Sequence, residues 1–228
     1  MKKFKILICL WALTIVPSFF SASAQSNKCD LNAIDKELLE RSEKEQAIRR
    51  DVIPIVQEYQ QTGEGTFKVV RLALKMNRID KNNQKYLEKL INKCGWDSNL
   101  SSESHAAIFL IIDHADIEFI NKYIHMVKEK ALAGVLEPGD YPTVLDRKLM
   151  YEGKPQLFGT QTVSGIGDDN DINYVWPIAD PENLTARRDS VSLPSMEKYF
   201  EMAMDEFNIK MVWDKTITIE QALEMKEE

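Results

Sequence analysis

The chain has 228 residues, with 29 Lys and Arg against 36 Asp and Glu for a formal net charge of −7, and 44% of its residues are hydrophobic. That length holds one domain with an ample core, and the acidic balance argues against nonspecific binding to nucleic acid or to anionic membrane, both of which need basic surface. No glycine-rich phosphate loop, dinucleotide fingerprint, nucleophile elbow or Ser-His-Asp signature is present, so nucleotide-dependent and serine-nucleophile chemistry is not indicated.

The N-terminus reads as an export signal. Lys2, Lys3 and Lys5 precede an apolar run over residues 6–20 that is too short to span a bilayer, and Ala22-Ser23-Ala24 offers the small side chains of a cleavage site before Gln25. The expectation is an exported protein, periplasmic or secreted, with residues 1–24 removed and no transmembrane anchor remaining. The residues before Cys9 and Cys29 are not the small ones a lipoprotein site requires. Because the leader holds three of the 29 cations and none of the 36 acids, its removal takes the net charge from −7 to −10. Two cysteines survive, Cys29 and Cys94, and in an oxidising compartment they form either a disulfide or two free thiols.

Helical patterning dominates the mature chain as far as Pro138. Leu31, Ile34 and Leu38 share one stripe, residues 36–45 are highly charged, and Pro54 predicts a kink or a break into two helices. Thr62-Gly63-Glu64-Gly65 is a loop, after which Phe67, Val70 and Leu74 start a short helix. Asp80 is an expected N-cap for a helix that buries Leu87, Leu90, Ile91 and Cys94 and stops at Gly95. Residues 106–112 are the most apolar segment of the mature chain and predict a central buried helix ending at Asp113-His114-Ala115-Asp116. Asp116 then caps a further helix reaching Ala133, with Gly134 as its stop.

Beyond Pro138 the pattern changes. A short helix over 142–147 is followed by a predicted β-hairpin, with strands at Leu149-Met150-Tyr151 and at residues 156–161 around the turn Glu152-Gly153, and a third strand at Tyr174-Val175-Trp176. Asp180-Pro181, Pro194 and Thr218 mark the starts of three more helices. The expected fold is mainly α (α+β), one helical domain carrying a small antiparallel sheet. Residues 25–79 form an N-terminal helical segment, and residues 80–228 form the helical domain with the hairpin, in one globular unit with 25–79.

Three constellations carry chemistry. His114 beside Asp116 offers a general base, against the structural alternative of a histidine at a helix's negative end. His105 and His125 have less support, and no close His-x-x-x-His pair suggests zinc. Asp146, Arg147 and Gln161 are expected to converge at one edge of the hairpin, with Arg187 or Arg188 nearby, where a guanidinium fork suits a carboxylate or phosphate. In the cluster Asp168, Asp169, Asn170, Asp171 and Asn173, a calcium loop is matched only loosely, by Asp169, Asp171, Asn173 and Asp180, since Tyr174 occupies the position that demands glycine, so no metal is expected. Asn99-Leu100-Ser101 and Asn183-Leu184-Thr185 have the pattern of glycosylation sequons.

Gly95-Trp96, the apolar helix ending in His114-Ala115-Asp116, Asp146-Arg147 before Gly153-Lys154-Pro155-Gln156, and Phe158-Gly159-Thr160-Gln161 recur in this order in a known group. The chain resembles an uncharacterised bacterial domain-of-unknown-function family with a helix–His-Ala-Asp element and a Tyr-Gly-Thr-Gln motif. The resemblance runs from about Asp80 to Tyr199 and takes in Pro177-Ile178, Asp180 and Arg187-Arg188. Phe158 stands where a tyrosine is usual, and Asp97 where a proline often follows the tryptophan. The resemblance implies the fold and the position of a site, and it carries no reaction and no cofactor. The leading expectation is a non-enzymatic exported domain that binds a small polar or anionic ligand, or a protein partner, through Arg147, Gln161 and Arg187 or Arg188. The competing one is a hydrolase with His114 as base and Asp146 or Arg147 positioning the substrate.

Overall fold

The computed structural model describes residues 29–165 and 171–227, so the leader lies outside the described residues, as do Asp168, Asp169 and Asn170 of the acidic loop. Two long antiparallel helices come first, α1 (Leu31–Thr62) and α2 (Thr66–Cys94). Asp30 caps α1 by accepting from the Ala33 amide at 3.1 Å, and Gly63, at φ 71°, takes the left-handed conformation that turns the chain into α2. Pro54 does not divide α1, which runs through it without a break. It sits on the exposed side, where the carbonyl it leaves unpaired one turn earlier faces water.

Helix α2 is likewise unbroken, which corrects the expected cap at Asp80. That residue lies in mid-helix and receives a two-pronged hydrogen bond from Arg49 of α1, with Arg49 Nη2 3.1 Å from each carboxylate oxygen. Residue 80 therefore falls inside a helix that both N-terminal segments share. At the base of the hairpin Cys29 and Cys94 form a disulfide with a Cα–Cα distance of 6.0 Å.

Helix α3 (Ser102–Asp113) is the centre of the core and packs against α1, α2, α4 (Ile117–Leu132) and α5 (Asp140–Tyr151). Leu38, Leu87, Ile108, Ile112, Ile120, Val127 and Val144 are completely buried around it. Ser101 and Asp116 cap α3 and α4 through the amides of Ser104 and Phe119. The buried Trp96 donates its indole N–H to His105 Nδ1 at 2.8 Å, which makes His105 a core histidine.

The fold is mainly α with a small sheet; the strand expected at Tyr174-Val175-Trp176 is present over Ile172–Val175, but the two expected hairpin strands are not. Leu149-Met150-Tyr151 is the last turn of α5, and residues 156–161 form a loop that makes a single bridge, Gln156 to Ile178. The sheet consists of β1 (Thr162–Ser164), β2 (Ile172–Val175) and β3 (Lys210–Val212) in that order. β1 and β2 are antiparallel with Val163 opposite Tyr174, whereas β2 and β3 are parallel, so the sheet is mixed. A 3-10 turn at Pro181–Asn183 leads into α6 (Leu184–Ser190), which precedes α7 (Met196–Phe207), and α8 (Ile219–Glu227) closes the chain against β1. Trp176 is fully buried between the sheet and α8 with its indole N–H on the Lys154 carbonyl at 2.8 Å.

Candidate functional site

The loop over residues 156–161 has its polar backbone groups taken from two sides. Asp146, fully buried on α5, accepts from the amides of Leu157 at 2.8 Å, Phe158 at 3.0 Å and Thr160 at 3.1 Å, and from the Thr160 hydroxyl at 3.0 Å. Burial pushes its carboxyl up from the ordinary range, and these donors pull it back. The loop's carbonyls meet two guanidinium groups from α6. Arg187 Nε donates to Leu157 O at 2.9 Å, and Arg188, almost wholly buried, donates to Phe158 O at 2.5 Å and to Pro194 O at 2.7 Å. Gln156 reaches three backbone groups of Gln161 and Trp176, and the Tyr199 hydroxyl donates to Thr160 O at 3.1 Å. Gly159, at φ 71°, sits where an added Cβ would lie 3.1 Å from Ile178 Cδ1 and Met196 Sδ, so conformation and space both require glycine.

A second polar assembly runs across the helices. Asp80 on α2 holds Arg49 on α1, and Arg49 also lies 3.3 Å from Glu45 Oε1. Glu45 meets His114 Nδ1 at 2.5 Å, and Asp113, next to His114, takes a bidentate pair from Arg147 at 2.9 and 2.8 Å. Acidic and basic side chains alternate along this ribbon, so that the buried Glu45 and Asp113 each have a partner, Arg49 and His114 for the first and Arg147 for the second. Burial alone would push the Arg147 guanidinium down, but the Asp113 carboxylate together with Tyr151 outweighs it and the net shift is upward. Burial pushes Asp80 up despite Arg49, and burial with the neighbouring Glu137 and Asp113 pushes Asp140 up to about 6.

The ribbon is open at one edge. The side chain of His114 is 19% exposed and that of Arg147 22%, against 1% for Glu45. His114 Nε2 lies 3.8 Å from Asp113 Oδ2, beyond hydrogen-bond reach of it, and in the neutral ring with Nδ1 donating to Glu45 it presents a lone pair. Glu45 Oε2 is buried without a hydrogen-bond partner, while Arg147 keeps Nη1 outside its pairing with Asp113. A histidine fixed by a buried carboxylate, beside a guanidinium, can move a proton at Nε2 and stabilise negative charge next to it. Among the described residues no three His, Cys, Asp or Glu side chains gather in a metal-holding group.

The sequence-predicted residues thus fall into two groups. Arg147 does not share a pocket with Asp146 and Gln161: it turns to Asp113, whereas Asp146 is saturated by backbone and Gln161, 5% exposed, donates to Thr143 O and to the Thr160 hydroxyl. Arg187 and Arg188 hold main-chain carbonyls, and Arg188 also lines a surface pocket with Leu184 and Thr185 of α6 and Met196 of α7. Asp116, read as the partner of His114, instead caps α4 and pairs with Lys81. Glu45 and Asp113 went unrecognised as site residues. A signal for Glu45 was present, since it falls seven residues after Leu38 and three before Ile48 on the buried stripe of α1.

A model of a family of unknown function, DUF6624, matches residues 32–212, a stretch that contains every residue of the ribbon and of the clamped loop. No curated protein and no solved structure matches the chain.

Proposed function

The chain belongs to the DUF6624 family, and from that premise we propose that the open edge at His114 is an acid–base site for hydrolysis of a small polar substrate. The observation that carries this reading is the Glu45–His114 hydrogen bond of 2.5 Å, which joins a buried carboxylate to a partly exposed imidazole ring. In this reading His114 Nε2 takes a proton from an attacking water and Glu45 stabilises the imidazolium that results. Arg147 Nη1 faces the negative charge that builds on the substrate. The carboxylate partner of His114 is Glu45, in place of the expected Asp116, which caps α4 and pairs with Lys81.

Export to the periplasm or medium belongs to the same proposal. It rests on the leader and on the Cys29–Cys94 disulfide, a bond that persists in oxidising compartments. The non-catalytic reading, a binding domain for a polar or anionic ligand or a protein, would use Arg147 at the open edge or Arg188 at its pocket beside α6. Assay of the purified protein against panels of esters, amides and phosphoesters separates the two. Turnover that falls by roughly a hundredfold or more in His114→Asn, at unchanged Tm, is the expected result. Turnover that survives His114→Asn, or a ligand that stabilises the wild type without being consumed, would overturn the catalytic assignment.

A further inference from the structure

The first half of α2 carries an apolar face with no partner among the described residues. Phe67 is 82% exposed, Leu74 65% and Val70 50%, and their spacing of three and four residues puts them on one line. Val69, Leu72, Met76 and Ile79 are the half-buried side chains of this stretch and form the seam toward α1, so the exposed line points away from the protein. Beside it runs a second line, Lys68, Arg71, Lys75 and Arg78, one residue further round the helix. None of these four makes an ion pair among the described residues, and no Asp or Glu occurs in α2 before Asp80. In a chain with seven more acids than cations, four unpaired cations along a single helix face are a local inversion of charge. Arg50 joins three of them around the groove between α1 and α2, where Asp51 is the one acidic lining residue.

We propose that this tip of the α1–α2 hairpin docks on an anionic lipid surface. Phe67, Val70 and Leu74 enter the boundary between headgroups and acyl chains, and the flanking cations meet the lipid phosphates with their alkyl stems along the same boundary. Charge decides this occupant over a second copy of the chain, because pairing the stripe with itself sets its cations against an equal number. The convex crest also suits a deformable surface. The net charge, read alone, argues against membrane contact; the local distribution reverses that inference here.

Flotation with phosphatidylcholine vesicles, with and without phosphatidylglycerol, tests the proposal on three proteins: wild type, the double variant F67S/L74S and the triple variant K68E/R71E/K75E. All share one N-terminus, so binding by residues 1–24 is common to them, and all should keep the wild-type Tm because the altered side chains are exposed. Wild type should float with the anionic vesicles and release in salt. The triple variant should bind them roughly a hundredfold more weakly, at about 1 kcal/mol per cation near the surface. The double variant should also lose binding, with a smaller change in salt dependence. Equal flotation with both vesicle types, or variants that float like wild type, would overturn the proposal. So would a wild-type dimer, dissociated by F67S/L74S, that ignores vesicles.

Discussion

The clamped loop at residues 156–161 and the helical ribbon through His114 are both dense in polar groups, yet they solve burial differently. In the loop the donors and acceptors are matched within the protein: Asp146 takes amides while Arg187 and Arg188 take carbonyls. In the ribbon side chains satisfy side chains, and two of them, His114 and Arg147, stay partly exposed. A region closed by backbone hydrogen bonds builds the fold. One closed by side chains and open at an edge is where chemistry can enter.

The largest effect expected of this contrast is at Asp146. Asp146→Ala leaves three buried amides without an acceptor, and the loss should be on the order of 3–5 kcal/mol of unfolding free energy by urea titration. A loss under about 1 kcal/mol would mean that water replaces the carboxylate and that the loop is not a closed unit. Next comes the disulfide that ties the hairpin carrying Glu45. Cys29→Ser with Cys94→Ser should cost roughly 2–4 kcal/mol, most of it through the unfolded chain, and leave any His114-dependent activity in place below the new Tm.

Arg147 and His114 sharpen the comparison at intermediate size. Arg147→Ala strands the buried Asp113 carboxylate and should cost about 2–3 kcal/mol, discounted for the partial exposure of the guanidinium. His114→Asn keeps a donor toward Glu45 and should cost about 1 kcal/mol or less. Denaturant titration of the two variants together distinguishes a purely structural ribbon, in which the costs are equal, from one whose open end is free to react.

The fold was legible where periodicity settled it. Residues 106–112 read as a buried helix, and Asp116 read as a cap, because both signals are local. Segment 149–161 misled because a short apolar run fits a strand or the last turn of a helix equally well, and the amides that would have made a ladder are claimed by Asp146 from 11 to 14 residues away. The site was half legible for a related reason. His114 stands out at the end of an apolar helix, but Glu45 lies 69 residues away, and only the packing of α1 on α3 joins them. β3 pairs with β2 across nearly the whole α6–α7 connection, a separation that local pattern does not encode.

The smallest expected effect is a pH dependence, and it belongs to the ribbon's side of the comparison. Asp140 opens α5 near Glu137 and Asp113, and burial together with these two acids raises its carboxyl to about 6. In the unfolded chain it titrates near the ordinary aspartate value of about 3.9. Below both values the group is protonated in either state and costs nothing. As pH rises toward 6 the unfolded chain releases its proton first, so the folded state holds more protons and stability falls; above the folded value the penalty is constant. Asp140→Asn removes the titration while its side-chain oxygen still accepts from the Glu137 amide. The difference in Tm between variant and wild type should therefore be near zero at about pH 4 and grow to a plateau of roughly 2 °C above about pH 6.5, with solvent screening keeping it small. Because every other titrating group is common to both proteins, the difference isolates Asp140. A flat difference across that range would show that the acids around Asp113 are relaxed by water, and that the ribbon is no more strained by its charges than the clamped loop is.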